Sequence, residues 1–341
     1  MGQTESFTYL LITFTTIAYF ISIKTILISK SESNIDFWHY NIRLLNEFSK
    51  IHSHFDIGCN KFKQPRFFTA VHYEVRRDLV IGSVYMVICF VLAIVLAIEN
   101  EFAWRSSNST ESYFDVWKMF VNHTQNFVWT VNFSTLFLVA VFLGFFIKLY
   151  CACLQLISEG LKEIITRQKF GSSQIFEAYQ PNECFIRSER KNIEIETAIL
   201  LDRCFKAYYI IEEIVREFGR HFNSEMFLIF TFSFFVIFAR AFFVILYILK
   251  SSPTSFLYMI FKIIVHIWKI FYITTLCSKL NGEVQNISFF LHRIDLEPMP
   301  PHLQAKVNML STKLSSDPLT ISPGQFFKLN RGLITTVITI F

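Results

Sequence analysis

The chain has 341 residues, of which 52% are hydrophobic and 17% charged, and it contains 41 phenylalanines against ten glycines. This composition is far from average soluble usage and, together with apolar runs of membrane length, predicts an all-α membrane protein. The formal net charge of +5 is segregated by loop, which is a topology signal and gives no support to a nucleic-acid partner.

Six apolar stretches follow one another along the chain as candidate membrane helices. They cover residues 7–28, 79–98, 127–154, 226–249, 254–277 and 326–341. The sixth is entered through a turn at Pro323 and Gly324, and it stops short of the roughly 20 residues that a bilayer requires. We therefore expect a single domain over residues 1–341, built as a bundle of about six transmembrane helices.

The orientation of this bundle follows from its loops. Basic residues are concentrated in the loops after the first, third and fifth stretches, whereas the loops 99–126 and 250–253 hold few. The positive-inside rule places the three basic loops in the cytoplasm. The loop 99–126 carries sequons at Asn108 and Asn122, which are glycosylated only on the lumenal side. Both features predict the same topology, with the two termini outside if all six stretches span.

The cytoplasmic loops are predicted to contain helices. Apolar residues recur at helical spacing over residues 193–222, which lead almost directly into the fourth stretch. Residues 277–291 continue the fifth stretch in the same way, before Pro298, Pro300 and Pro301 interrupt it. Long helices that project into the cytoplasm are expected, and their apolar stripes need partners.

Charged residues inside apolar stretches are the first candidates for function, because each costs on the order of 2.5–3.5 kcal/mol to insert. The fifth stretch carries Lys262, His266 and Lys269, spaced i, i+4, i+7, with Tyr258 and Tyr272 close to the same face. We expect an outward-facing pocket whose aromatic walls bind an apolar ligand and whose polar groups orient it. Snorkelling, or hydrogen bonding to backbone carbonyls or lipid phosphate, is the alternative.

Two further residues are weaker candidates for ligand contact. Arg240 lies in the fourth stretch at a similar depth to Lys262, and Trp129 lies beside the outer loop, where interface anchoring is the competing role. None of the seven cysteines lies in a loop placed outside the cell, so a disulfide framework is not expected. No paired metal ligands and no H-E-x-x-H or G-x-S-x-G motif occur, so we expect no enzyme, cofactor or metal site.

The carboxyl-terminal part of the chain resembles the insect gustatory receptor family. The segment ISPGQFFKLNRGLI, residues 321–334, is similar to that family's entry into its last transmembrane helix. Residues 277–294, which include Cys277 and Glu283, and residues 201–230 resemble two further segments of the family. The resemblance is good over about residues 195–341.

This resemblance implies seven spans and a ligand-gated cation channel, assembled as a homo- or heterotetramer of related subunits in membrane lipid. It implies a small-molecule tastant as ligand and the plasma membrane of chemosensory neurons as the location. By family position Thr335, Thr336 and Thr339 would line the pore, while bonding of their hydroxyls to helix carbonyls is the alternative.

The chain departs from the family pattern in two places. The family's first span and its closing Thr-Tyr…Gln-Phe motif have no counterpart, which suggests a shortened chain. Three other classes therefore stay open: a G-protein-coupled-type receptor, a small transporter, and a truncated, non-conducting accessory subunit. An even number of spans and an outside carboxyl terminus argue against the first of these.

Overall fold

The computed structural model describes residues 31–53, 137, 139–169, 183–248, 253–322 and 332. Between residues 73 and 98 it describes 73–74, 76–78, 80–81, 83–84, 87–88, 91, 94–95 and 98. Every regular element in these ranges is a helix, which confirms the predicted all-α fold class. The candidate span over residues 7–28 lies outside the described residues, and so does 326–341 apart from Gly332, which is helical.

Six continuous helices occur in the described ranges. They are α1 (Ser31–Ser53), α2 (Val139–Lys169), α3 (Glu183–His221), α4 (Asn223–Ile248), α5 (Pro253–Leu291) and α6 (Pro301–Ser316). Three segments, Val139–Lys169, Asn223–Phe242 and Met259–Leu291, are long and apolar enough to cross a membrane. Helices α1 and α6 are not apparent from the sequence patterns above.

Helices α3 and α4 are almost continuous. Only Phe222 separates them, and its backbone N–H still donates to the Phe218 carbonyl at 3.0 Å, which preserves the helical hydrogen-bond pattern. The amphipathic pattern over residues 193–222 is thus the second part of a longer helix that leads directly into the apolar α4.

The proline-rich segment between α5 and α6 follows one helix and contains the start of the next. Helix α5 ends at Leu291, before Pro298 is reached. Pro301 then occupies the first turn of α6, where its fixed φ suits a helix and its missing N–H would have no intrahelical partner. Gln304 closes the intervening turn by donating to the carbonyls of Leu296 and Met299, both at 2.9 Å.

The described residues form two compact units. The first contains those that lie within 1–36, 73–144 and 225–273, and the second contains those within 37–72, 145–224 and 274–341. Helices α2 and α5 each contribute residues to both units.

Helix α6 belongs to the second unit and buries one apolar face there. Its buried residues repeat at i, i+4, i+7 and i+11, as an amphipathic helix requires: Leu303, Val307, Leu310 and Leu314. Helix α3 buries a matching set in the same unit: Leu201, Cys204, Tyr208, Ile211 and Val215. This burial supplies the hydrophobic contribution to the stability of the second unit.

Three ion pairs connect α3 to α6 and to Asp317, the residue that caps α6: Asp202 with Lys306 at 2.7 Å, Glu212 with Lys313 at 2.8 Å, and Arg216 with Asp317 at 2.6 Å. Residue numbers rise together along both partners, so α6 runs parallel to α3. We name the three pairs Asp202–Lys306, Glu212–Lys313 and Arg216–Asp317 the ionic ladder. Hydrogen bonds from Lys306 and Lys206 hold the pKa of the Asp202 carboxyl below its ordinary value.

Glu212 is the most buried member of the ionic ladder. Its residue is only 4% exposed, and its carboxylate accepts hydrogen bonds from Lys313 Nζ at 2.8 Å and from Arg216 Nε at 2.9 Å. Both cations are partly exposed. A buried carboxylate is tolerated when it is paired in this way, so Glu212 depends on both partners.

Helix α1 packs against the end of α3 through aromatic residues. Phe37 stacks on His221 with ring centroids 4.3 Å apart. Tyr40 donates its hydroxyl to the Glu213 carboxylate, and this bond, with burial, raises the pKa of Tyr40 to about 12. Tyr40 is therefore a neutral donor over the whole physiological pH range.

In the first unit, α2 and α5 approach closely at Gly144. A β-carbon at this position would lie 2.6 Å from the Tyr272 hydroxyl oxygen and 2.8 Å from the ring carbon that bears it. The ring is held in place, because it stacks on Trp268 at 4.9 Å and donates to Asp78 Oδ2 at 2.6 Å. Only glycine fits beside Tyr272 in this position.

We predict that Glu212→Gln lowers the stability of the purified protein by about 1–3 kcal/mol, because the hydrogen bonds from Lys313 and Arg216 lose their charged acceptor. The change is measured as a lower midpoint of thermal unfolding in detergent micelles. Glu196→Gln on the same helix is the matched control, since its pair with Arg167 is exposed and such pairs contribute about 0–1 kcal/mol. Equal midpoints for the two variants would contradict the structural role of Glu212.

We predict that Gly144→Ala destabilises the protein by about 1–3 kcal/mol, because the added methyl group displaces the Tyr272 ring. Gly282→Ala on α5 is the matched control, since a β-carbon there meets nothing within 4 Å. The control should be neutral or stabilising by up to about 1 kcal/mol, because alanine favours the helix. A thermal midpoint for Gly144→Ala at or above that of the unmodified chain would refute the close approach.

Candidate functional site

Helix α5 is polar inside and apolar outside over its membrane-length segment. Lys262, His266 and Lys269 are 5%, 1% and 0% exposed. The opposite side presents Ile264, Ile267 and Phe271 to the surroundings. This arrangement is the reverse of that in a water-soluble helix and is typical of a helix in lipid, where ionisable groups face the protein interior. We name the three buried residues the cationic stripe.

Helix α4 has the same inverted distribution. Its apolar outer face consists of Phe235, Phe238 and Phe242, which are exposed, while Ser233 is buried. The phenylalanines that the sequence places on all faces of this helix are thus divided between surface and core, since Phe230 is buried. The buried hydroxyl of Ser233 is available to the neighbouring α5.

The cationic stripe contacts α4. His266 Nδ1 lies 3.1 Å from Ser233 Oγ, and the edge of its ring approaches Phe232 with centroids 6.0 Å apart. Arg240, a candidate from the sequence, lies on the same helix and donates from Nη1 to Met259 Sδ at 2.9 Å. The burial of Lys262 and Lys269 within the protein does not fit a snorkelling side chain, whose ammonium group reaches the interface.

A second face of α5 carries an aromatic layer. Trp268 stacks between two rings. Its ring centroid lies 5.1 Å from that of Phe137, which precedes α2 in the sequence, and the two planes differ by 16°. It lies 4.9 Å from the centroid of Tyr272, and these planes differ by 13°. The buried Val141 and Val265 form a core with Phe137, and Phe261 and Trp268 pack against it. We name these six residues the aromatic layer: Phe137, Val141, Phe261, Val265, Trp268 and Tyr272.

The Tyr272 hydroxyl is the polar group of the aromatic layer. It donates to Asp78 Oδ2 at 2.6 Å. Asp78 in turn lies 3.6 Å from the exposed guanidinium of Arg77. The layer therefore combines a packed apolar cluster with one fixed hydrogen-bonding group.

The cationic stripe and the aromatic layer occupy different faces of α5. Successive residues of a helix are about 100° apart, and the stripe positions 262, 266 and 269 each follow a layer position by one residue. Tyr272, which the sequence places near the face of the stripe, instead stacks on Trp268 and bonds Asp78. Among the described residues, Tyr272 therefore belongs to the aromatic layer, whereas the sequence analysis placed it with the cationic stripe.

Several predicted site residues lie outside the described part of the structure. They are Trp129, Asn108, Asn122, Thr335, Thr336 and Thr339, and the side chain of Tyr258 in α5 is likewise outside it. Asp78, Phe137 and Trp268 are site residues that sequence reasoning missed. The spacing of Phe261, Val265, Trp268 and Tyr272 is a helical stripe that could have indicated the layer.

The described residues include histidines, cysteines and acidic residues, which are the side chains that could bind a metal ion. Within the described residues, no group of three His, Cys, Asp or Glu side chains could hold a metal ion. The cysteines described there as free thiols, Cys151, Cys153, Cys204 and Cys277, are all buried. Burial raises the pKa of the Cys204 thiol to about 12, so it is an unreactive packing residue.

Solved structures with the same fold come from an insect. The olfactory receptor OR5 from Machilis hrabei in complex with eugenol has a TM-score of 0.57 and 12% sequence identity, and the match covers 83% of this chain and 68% of that chain. A second structure of the same receptor has a TM-score of 0.58 and 13% identity, covering 96% and 77%. At these identities the likeness concerns the fold alone. No curated protein sequence gives a match.

The sequence also matches a family model that is described as 7tm Chemosensory receptor. The match extends over residues 38–341, which is most of the chain. It includes every helix described from α2 to α6, and it confirms the resemblance to insect chemosensory receptors. The chain therefore belongs to the 7tm chemosensory receptor family.

Proposed function

We propose that the chain is a subunit of a ligand-gated cation channel that detects small organic molecules in taste. The aromatic layer is the observation that carries this proposal. Its stacked rings form an apolar cluster, and the Tyr272 hydroxyl, which donates to Asp78, is its polar group. A small ligand with an apolar body and a single polar group is the chemistry that such a surface binds.

The structural neighbours support a ligand of this class. One of them is an olfactory receptor whose structure contains eugenol, which is a small substituted phenol. That ligand belongs to the neighbour, and it suggests an aromatic probe for this chain. A ligand ring that packs against this cluster would gain about 0.5–1.5 kcal/mol from offset stacking beyond the apolar area buried.

Gating follows from differential affinity for two states. A ligand that binds the open state more tightly than the closed state shifts the equilibrium toward opening by that difference in free energy. We propose that Thr335, Thr336 and Thr339 line the pore of a tetramer of this chain or of related subunits. We further propose that it acts in the plasma membrane of chemosensory neurons, with Asn108 and Asn122 on the outer side.

Two other receptor classes compete with this proposal. A G-protein-coupled-type receptor would bind the same ligand without conducting ions itself. A non-conducting accessory subunit would bind the ligand, or only its partners, and would need a conducting relative. The chain's family is not enzymatic, so the three classes differ in conductance rather than in chemistry.

We predict that Trp268→Ala weakens the binding of eugenol, used as the probe, by tenfold or more, because the central ring of the stack is lost. A tenfold change corresponds to about 1.4 kcal/mol. Binding is measured by saturation titration of the purified chain in detergent. Ile264→Ala is the matched control on α5, because this side chain is exposed on the other side of the helix. Equal affinity in the two variants would remove the aromatic layer from the binding site.

We predict that the purified chain, reconstituted in a planar bilayer without G proteins, conducts cations when a ligand of the layer is added. A channel needs no further component, whereas a G-protein-coupled-type receptor gives no current in this preparation. Recording should be repeated with a related receptor chain co-reconstituted. Current only in the mixture would assign the accessory role, and bound ligand without current in either preparation would refute the channel.

A further inference from the structure

The contact between Arg240 and Met259 joins α4 to α5 through a sulfur atom. Nη1 of Arg240 donates to Met259 Sδ, and the two atoms lie 2.9 Å apart. A guanidinium group is a strong hydrogen-bond donor, whereas a thioether is only a weak acceptor. The geometry therefore places a strong donor against an acceptor that makes little use of it.

The methionines of the chain differ in how far small solutes can reach them. Four lie in the described ranges, and two of these, Met226 and Met299, are buried, with 0% and 7% exposed. Met309 on α6 is 62% exposed, and Met259 lies between these extremes. Methionine sulfur is oxidised by peroxides where they can reach it. Met259 is thus open to a reaction from which burial protects Met226 and Met299.

Oxidation would change the acceptor that faces Arg240. The Met259 sulfur attacks one oxygen of hydrogen peroxide, the O–O bond breaks, and the departing hydroxide takes the proton of the transferred oxygen and becomes water. The thioether is thereby oxidised by two electrons to the sulfoxide, and the peroxide is reduced. The product is a polar group, whose oxygen is bonded to the same sulfur that contacts the guanidinium.

A sulfoxide at this position needs a hydrogen-bond donor. A polar group in apolar surroundings is costly unless it is paired, and for this reason methionine oxidation usually disrupts packing. At Met259 the donor is already in contact, and the flexible side chain can turn the new oxygen toward it. The resulting bond to a charged donor is stronger than a neutral one, so oxidation should strengthen the contact between α4 and α5.

We propose that Met259 is a site of oxidation by hydrogen peroxide, and that Arg240 binds the resulting sulfoxide and fastens α4 to α5. Hydrogen peroxide is small and uncharged, so it reaches a partly exposed group in a membrane-length segment without the desolvation cost of an ion. The inference involves no residue of the aromatic layer, and it therefore does not depend on the proposed detection of a small organic molecule.

The test uses the purified chain in detergent, treated with hydrogen peroxide that is then removed. Peptide mass mapping should find one added oxygen on Met259 and on the exposed Met309, with Met226 unmodified. The midpoint of thermal unfolding should rise by about 2 °C, because a weak hydrogen bond is replaced by a stronger one. An unmodified Met259 in a sample with fully oxidised Met309 would overturn the proposal, and so would an oxidised Met259 with an unchanged or lower midpoint.

Variants assign the change in the midpoint to this pair. Met259→Leu conserves the side-chain volume, and its midpoint should be the same before and after peroxide treatment. Met309→Leu is the matched control and should retain the full rise. In Arg240→Leu the sulfoxide has lost its donor, so treatment should lower the midpoint relative to the untreated variant. A rise in Met259→Leu or in Arg240→Leu equal to that of the unmodified chain would show that another group is responsible, and the proposal would be wrong.

Discussion

The burial of ionisable side chains inside an apolar helix is the constraint on which the first unit depends. Lipid cannot solvate an ammonium group or an imidazole, so the protein must surround them. Helix α5 therefore turns Lys262, His266 and Lys269 inward and leaves isoleucine and phenylalanine outside. Helix α4 must then lie close enough for Ser233 to contact His266. The same rotation of α5 also aims Trp268 at Phe137, so the position of the aromatic layer follows from that of the stripe.

The second unit is stabilised by different interactions. Helices α3 and α6 of this unit are amphipathic, with apolar side chains buried and ion pairs between the two helices. Partly exposed pairs contribute little stability each, yet they fix which residues lie side by side. The ionic ladder thus sets the register of α6 along α3, while apolar burial provides most of the free energy. Glu212 is buried and accepts hydrogen bonds from Lys313 and Arg216, so it contributes both to the register of α6 and to the free energy of folding.

Sequence patterns predict the features that arise within one helix. The apolar stretches, the amphipathic α3 and the inward row of Lys262, His266 and Lys269 all follow from spacing along the chain. Features that join distant parts of the chain are not predictable in this way. Nothing in the sequence links Asp78 to Tyr272, or Gly144 to the same ring. Helix α6 is not predicted either, because Pro300 and Pro301 indicate an interruption of a helix, although proline is also favourable where a helix starts.

The ionic ladder has a consequence for the order of events during synthesis. Its partners are 101 to 104 residues apart in sequence, and α4 and α5 lie between them. Helix α3 therefore leaves the ribosome long before α6 supplies its ionic partners. During that interval the Glu212 carboxylate lacks its hydrogen bond from Lys313, and a nascent chain with incomplete packing is a target for chaperones and for quality-control proteolysis. Substitutions in α6 should accordingly act on the amount of receptor that matures, before they act on what the mature receptor binds.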